Sequence, residues 1–331
     1  MPNKELKIDK NLANWVKFFA AIGVALHHYV QHIAPYMTSS NIFVKMFTHV
    51  VGDYSGYLAV AVFFFLSGYG LMESEKRNHL RFIPFLKKRI LRVYLPVLLV
   101  SAIWIPIKSH LLHLSIIKGG AIYRLLWTFD DDILWFVRIL LVLYIAFAIF
   151  AWVRHGYGIK RALFIFNILT LTVTLAAATG IAGFGFGRGA MMSVPLFTAG
   201  AISSLYNKSI YGCISKGTIG YMIWFAAVIG IYLASGIFLD KNIMTPMLLI
   251  KYATYNWGFI LIITILLTRY NIKTATCPAL LASISYDIYI VHNKVLVSLT
   301  TLEQTVSFIT FAFTVSICVL AFYTLRKRLN I

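Results

Sequence analysis

The sequence has few charged residues and very few acidic ones. Only 12% of its 331 residues are Asp, Glu, Lys or Arg, and 60% are hydrophobic. A soluble globular domain carries about a quarter charged residues. So few charged side chains cannot cover the surface of a globular protein in water. The mean hydropathy of +0.80 agrees with this. The composition excludes an ordinary soluble enzyme and predicts an integral membrane protein.

Cysteine is scarce as well. Cys213, Cys277 and Cys318 are scattered in or beside apolar runs. They show neither the spacing of a metal site nor that of a disulfide framework. We therefore expect no disulfides and no bound metal.

Long apolar runs, in contrast, are abundant. A helix that crosses a bilayer needs about 20 mostly apolar residues. Ten segments qualify, near residues 14–34, 57–73, 89–108, 133–153, 162–180, 189–206, 217–238, 252–268, 279–298 and 306–325. The sequence predicts an all-α, polytopic transmembrane bundle of about ten spans, forming a single domain over residues 1–331. No small-residue cleavage site follows the first run, so we expect a retained span and not a signal peptide.

The charge balance predicts the orientation of these spans. Lys and Arg number 30 and Asp and Glu 11, which gives a net charge of +19. With ten spans and cytoplasmic termini, most of the basic residues fall in cytoplasmic loops, as the positive-inside rule requires. We therefore expect a multi-pass protein of the bacterial cytoplasmic (inner) membrane. The excess of positive charge indicates contact with anionic membrane lipid and not with nucleic acid.

The first span carries a lysine and several histidines, and ionisable side chains are costly in a bilayer and therefore point to function. Lys17 and His28 are eleven residues apart, which places them about 16 Å apart along a helix and nearly on one face. A neutral imidazole at such depth can accept a proton from a hydroxyl during acyl transfer. The alternative is that the histidine only bonds a neighbouring helix.

A basic cluster of Lys88, Arg89 and Arg92 lies at the entry to the third span. Guanidinium groups bind phosphates bidentately, so the cluster is a candidate site for an anionic, nucleotide-like donor. A topogenic cluster that faces lipid headgroups has the same composition.

The second span ends with Ser67, Gly68 and Tyr69 after a run of phenylalanines. Small residues permit a broken helix that lines a cavity. A close packing seam between two helices needs the same residues.

The ninth span contains Asp287, His292 and Lys294. Under the predicted topology His292 and His28 lie about 20 Å deep on spans of the same direction, which predicts a shared cavity. At the outer end of the fourth span, Trp135 and Arg138 are further candidates for binding a substrate.

These segments, in this order, resemble the acyltransferase-3 family of integral membrane acyltransferases. In that family the first span carries Arg, ten residues and His, matched here by Lys17 and His28. A Phe-rich run with Ser-Gly-Tyr matches residues 63–69, and a basic run ending near Tyr-Pro matches residues 88–96. Leu-Trp-Phe and Ile-Tyr-Ile-Val-His follow at residues 134–136 and 288–292.

The resemblance implies that an acyl-CoA, usually acetyl-CoA, donates its acyl group to a hydroxyl of a sugar, glycolipid or cell-envelope polysaccharide. It implies that His28 is the catalytic base. We assign donor binding to Lys17, Ser67, Gly68, Tyr69, Lys88, Arg89 and Arg92, and acceptor binding to Trp135, Arg138, Asp287 and His292. Many members have Asp and Arg where this chain has Asn14 and Lys17, and a lysine lacks the planar fork of arginine.

Two other functions remain open at this stage. A transporter or glycan exporter would use His28, Asp287, His292 and Lys294 as a proton or substrate path. An inactive relative that serves as a scaffold would tolerate Asn14 and Lys17. Binding of CoA favours the enzyme, and substrate flux without a donor favours the carrier. The sequence leaves the acceptor, the acyl chain length and homo-oligomer formation open.

Overall fold

A computed structural model describes residues 8–36, 42–114, 120–129, 134–179, 188–210, 275–302 and 306–331. Within these ranges the chain is helical apart from short turns and contains no β-strand. Helices satisfy their own backbone hydrogen bonds, which an apolar chain in a bilayer requires. The prediction of an all-α protein is confirmed for the described part of the chain.

The helices of the described ranges have the following bounds. They are α1 (Lys10–Ile33), α2 (Ile42–His49), α3 (Gly56–Asn78), α4 (Phe82–Arg89), α5 (Leu95–Pro106), α6 (Ala121–Tyr123), α7 (Trp135–Tyr157), α8 (Ile159–Thr179), α9 (Arg188–Leu205), α10 (Ala279–Leu302) and α11 (Phe308–Arg328). Short π-helical segments extend or precede several of them, at Val50–Ser55, Ile90–Tyr94, Ile107–Leu111 and Arg124–Thr128.

Five helical stretches within the described ranges are long and apolar enough to cross a membrane. They are α3, the continuous stretch Phe82–Leu111 that contains α4 and α5, α7, the Ile159–Ala176 part of α8, and α11. Predicted spans near 217–238 and 252–268 lie outside the described residues. The total of ten spans and the side of the termini therefore stay predictions.

Helices α1 and α10 are also long enough to span, because 24 residues rise about 36 Å. They are less apolar than the other five stretches, since α1 carries Lys17 and His28 and α10 carries Asp287 and His292. The ionisable side chains that make α1 and α10 candidates for function therefore also lower the hydropathy of these two helices.

The chain divides into two compact units of contacting helices. The single domain expected over residues 1–331 stays a prediction. The first unit comprises residues 1–13, 61–82 and 146–276. In its described part, α8 packs against α9. A cluster of buried rings from Phe147, Phe150, Phe166 and Phe197 fills its core, with ring centroids 5.3 to 6.4 Å apart.

The second unit comprises residues 14–60, 83–145 and 277–331. Helices α10 and α11 pack against each other, and α10 also contacts α5. The Tyr29 hydroxyl of α1 donates to the Val306 carbonyl at 2.8 Å, and its ring stacks on Phe311 at 5.0 Å. The Tyr286 hydroxyl of α10 donates to the Val93 carbonyl at 2.7 Å. These bonds fix α1 and α10, which carry the candidate catalytic side chains.

Candidate functional site

His28 of α1 and His292 of α10 meet directly. His28 Nδ1 lies 2.8 Å from His292 Nε2, and the two ring planes differ by 6°. His292 is fully buried, and its Nδ1 lies 3.0 Å from the Ile288 carbonyl oxygen one turn earlier in α10. The structure brings the two histidines into direct contact, and the shared cavity that the sequence predicts for them stays a prediction. The Nε2 atom of His28 forms no hydrogen bond with any residue that the structure describes.

The neighbouring His27 has a different environment. Its Nδ1 lies 3.0 Å from the Val51 carbonyl oxygen in the π-helical segment, and its ring packs edge-on against Tyr57 at 5.8 Å. A side-chain carbon at Gly56 would overlap the His27 ring, so the glycine makes room for it. His27 therefore joins α1 to the start of α3 and turns away from His292.

Aromatic contacts link the histidine pair to the start of α7. The Tyr289 ring lies 6.0 Å from the His292 ring and 5.0 Å from the Phe136 ring. Tyr289 and Phe136 are both buried. Three of the motif segments singled out in the sequence thus converge here, namely the end of α1, the start of α7 and the middle of α10.

Lys17 and Arg89 form a second constellation in the same unit. The Lys17 ammonium is close enough to the Arg89 guanidinium for their like charges to repel. Both side chains are half-buried. No carboxylate within the described ranges pairs with either cation. Two cations within electrostatic range of each other offer a favourable place for an anion.

Aromatic rings hold the Arg89 guanidinium in place. It lies 5.4 Å from the centre of the Phe85 ring and 5.3 Å from that of Tyr144. Its Nε atom is buried and has no hydrogen-bond partner among the described residues. Lys88 and Arg92 are exposed, and the π-helical segment that begins at Ile90 separates Arg92 from the regular turn that carries Arg89. The basic cluster thus contains one oriented guanidinium and two exposed cations.

Asp287 forms an ion pair that the sequence did not predict. Its Oδ2 accepts a hydrogen bond from Arg326 Nη2 of α11 at 2.8 Å, and its side chain is fully buried. Arg326 Nη2 also lies 3.5 Å from the Ser283 carbonyl oxygen. This arrangement gives Asp287 a structural partner, and its predicted role in acceptor binding remains untested.

The Phe-Ser-Gly segment of α3 is a helix packing seam. A side-chain carbon at Gly68 would overlap the Phe197 carbonyl oxygen of α9, and one at Gly200 would overlap the Phe65 carbonyl oxygen of α3. Ser67 is half-buried, and the buried Tyr69 hydroxyl accepts a hydrogen bond from the Ile8 amide at 3.2 Å. Packing accounts for Gly68, and donor binding by these three residues stays a prediction.

The remaining candidates are buried to different extents. Arg138 and Lys294 are buried, and Trp135 is half-buried. Lys294 lies in the wall of an apolar groove of about 410 Å³ between α5, α10 and α11, with Trp104 and Phe322. His28 and His292 do not line this groove, so it is separate from the histidine pair.

One group of side chains in the described ranges has the composition of a metal site. Potential ligand atoms of Glu75, His79 and His155 lie within 4.8 Å of one another. Glu75 Oε1 is already 3.3 Å from Arg154 Nη1, and its Oε2 accepts the Leu80 amide at 2.7 Å. The Arg154 guanidinium and the Leu80 amide thus contact the two oxygens of the buried carboxylate, and the ion pair joins the ends of α3 and α7.

Sequence reasoning missed Arg326 and Glu75 as structural partners. Arg326 stands in a terminal basic run, and Glu75 in a polar run after an apolar one, so both patterns predict solvated positions. Only the spatial arrangement reveals that each belongs to a buried ion pair.

Comparison with known proteins adds one independent finding. No curated protein and no solved structure matches the chain. The sequence matches the family described as an acyltransferase domain over residues 12–325, which includes nearly all of its 331 residues. The chain therefore belongs to the acyltransferase-3 family, and it is an integral membrane protein of the acyltransferase type.

Proposed function

We propose that the protein transfers an acyl group, for which we expect acetyl, from cytoplasmic acyl-CoA to a hydroxyl of a sugar, glycolipid or cell-envelope polysaccharide. The observation that carries the proposal is the placement of two sites on one helix. Lys17, within electrostatic range of Arg89, lies eleven residues before His28. This spacing corresponds to about 16 Å of helix.

The Lys17–Arg89 pair supports the first half of the reaction. The phosphates of CoA carry several negative charges, and a guanidinium binds phosphate through two parallel hydrogen bonds. Phe85 and Tyr144 hold the Arg89 side chain against their rings, which reduces the conformational entropy lost on binding. With the phosphates at this end of α1, the flexible pantetheine arm carries the thioester toward His28.

His28 supports the second half. Its Nδ1 is engaged by His292, while its Nε2 is available to an acceptor. In the proposed step Nε2 takes the proton of the acceptor hydroxyl as its oxygen bonds to the thioester carbonyl carbon. The carbon–sulfur bond then breaks, and the imidazolium returns the proton to the departing thiolate. An acyl ester and free CoA result. General base catalysis of this kind contributes about 10² to 10⁴-fold.

The experiment is an acyl-transfer assay on purified protein in lipid nanodiscs. Acetyl-CoA labelled in its acetyl group is incubated with a panel of envelope sugars and lipid-linked sugars, and CoA thiol and labelled ester are measured together. The proposal predicts equal amounts of both products with at least one acceptor. Absence of CoA binding, together with sugar flux into proteoliposomes without a donor, would establish the carrier and overturn the proposal.

A further inference from the structure

The hydrogen-bond partners of the His28–His292 pair determine which ring nitrogens donate and which accept. A carbonyl oxygen only accepts hydrogen bonds, so the His292 Nδ1 that faces the Ile288 carbonyl at 3.0 Å carries a proton. A neutral imidazole has one N–H, and the other ring nitrogen is an acceptor. His292 Nε2 is therefore the acceptor that faces His28.

The same logic assigns the proton on His28. His292 Nε2 lies 2.8 Å from His28 Nδ1, and since it accepts, His28 Nδ1 donates. In a neutral His28 ring the remaining nitrogen, Nε2, then carries a lone pair. Two hydrogen bonds in series therefore run from His28 through His292 to the backbone of α10. The series ends on the Ile288 carbonyl oxygen, which can only accept.

We propose that His292 is a positioning residue that fixes His28 in the Nδ1-protonated tautomer and so presents Nε2 as the base. The catalytic role of His292 rests on the proposed function, whereas the tautomer of His28 follows from the hydrogen bonds alone. The hydrogen bond made by one ring nitrogen sets the state of the other. This assignment differs from the role in acceptor binding that the sequence suggested for His292.

The geometry also suits the charged state that His28 enters during transfer. Once Nε2 has accepted a proton, the Nδ1–H becomes part of a cation, and its hydrogen bond to the neutral His292 becomes charge-assisted. The ring centroids are 5.1 Å apart, the facing nitrogens 2.8 Å apart and the planes within 6° of each other. The two rings are therefore nearly coplanar, and the lone pair of His292 Nε2 points toward the donor. His292 is fully buried, so water does not replace it as the acceptor.

The first test is nitrogen NMR on protein labelled with ¹⁵N-histidine, which distinguishes a protonated ring nitrogen from an unprotonated one. The His28 resonances are identified by their loss in His28→Ala. We expect a protonated Nδ1 and an unprotonated Nε2 in the wild-type protein. We expect this pattern to be lost in His292→Ala and kept in His292→Gln, whose amide oxygen can accept from Nδ1. A wild-type His28 protonated on Nε2 would overturn the inference.

The second test is turnover. We expect His292→Ala to lower kcat for acyl transfer by about 10 to 100-fold, as the loss of an orienting partner does at other sites. KM for acyl-CoA should stay the same, and His292→Gln should recover most of the rate. Equal kcat values for wild type and His292→Ala would refute the positioning role. If the wild-type protein shows the expected tautomer but transfers no acyl group, the proposed function fails and the assignment of the pair stands.

Discussion

Asp287 of α10 and Arg326 of α11 form a buried ion pair, with 2.8 Å between Oδ2 and Nη2. The Asp287 side chain is fully buried, and that of Arg326 is 13% exposed. Asp287 lies five residues before His292, about 7.5 Å along the same helix. The pair thus holds α10 against α11 close to the histidine pair.

Breaking this ion pair should destabilise the protein strongly. Removal of one partner leaves a buried charge without compensation, which typically costs about 3–5 kcal/mol. We expect Arg326→Gln to lower the thermal unfolding temperature in detergent far more than Lys327→Gln, whose side chain is exposed. Combining Arg326→Gln with Asp287→Asn should cost less than the two single losses added together, because no charge then remains buried. Strict additivity in this double-mutant cycle would argue against the pair.

The contact between α3 and α9 depends on Gly68. A side-chain carbon there would overlap the Phe197 carbonyl oxygen, so Gly68→Ala must separate the two helices. Overpacking of this kind costs about 1–3 kcal/mol. Gly70→Ala is the matched control, because nothing lies within 4 Å of a side-chain carbon at that position. Thermal unfolding of both variants measures the difference, and equal stability of Gly68→Ala and Gly70→Ala would contradict the close packing.

Arg89 should dominate the binding of the donor. The loss of hydrogen bonds to a charged group costs about 1.5–3 kcal/mol, which corresponds to about 10 to 150-fold in Kd. We expect Arg89→Gln to weaken CoA binding by this factor in isothermal titration, and Arg89→Lys to restore only part of it, since lysine lacks the planar fork. Lys87→Gln removes a neighbouring exposed charge and should have a small effect. If Arg89→Gln and Lys87→Gln weaken CoA binding equally, the donor binds to a diffuse positive surface, which would contradict the role of an oriented Arg89 guanidinium.

In the ranges that the structure describes, the sequence predicted the long helices well because a bilayer permits few alternatives. An apolar run such as residues 57–73 can satisfy its backbone groups only as a helix, and the structure extends that run to Gly56–Asn78. For His28 and His292 the sequence predicted a shared cavity at equal depth, and the structure places their ring nitrogens 2.8 Å apart.

The partners of Asp287 and Glu75 did not follow from the sequence. Arg326 stands in a basic run and Arg154 directly after an apolar run, and basic residues at such positions are typical of loops that orient spans. Which basic residue folds back onto a buried carboxylate depends on how the helices pack, and that information is not local. The role of Gly68 was ambiguous for the same reason, because a cavity and a packing seam need the same small residues.

The central claim is that His28 is the base for acyl transfer, and its most direct test is release of CoA thiol from acetyl-CoA by His28→Ala with the best acceptor. His32→Ala is the matched control, because His32 belongs to the same helix and forms no hydrogen bond with a described residue. We predict that His28→Ala binds CoA like the wild-type protein and loses about 10² to 10⁴-fold in kcat, while His32→Ala keeps its rate. A folded His28→Ala variant that transfers acyl groups at the wild-type rate would contradict the account.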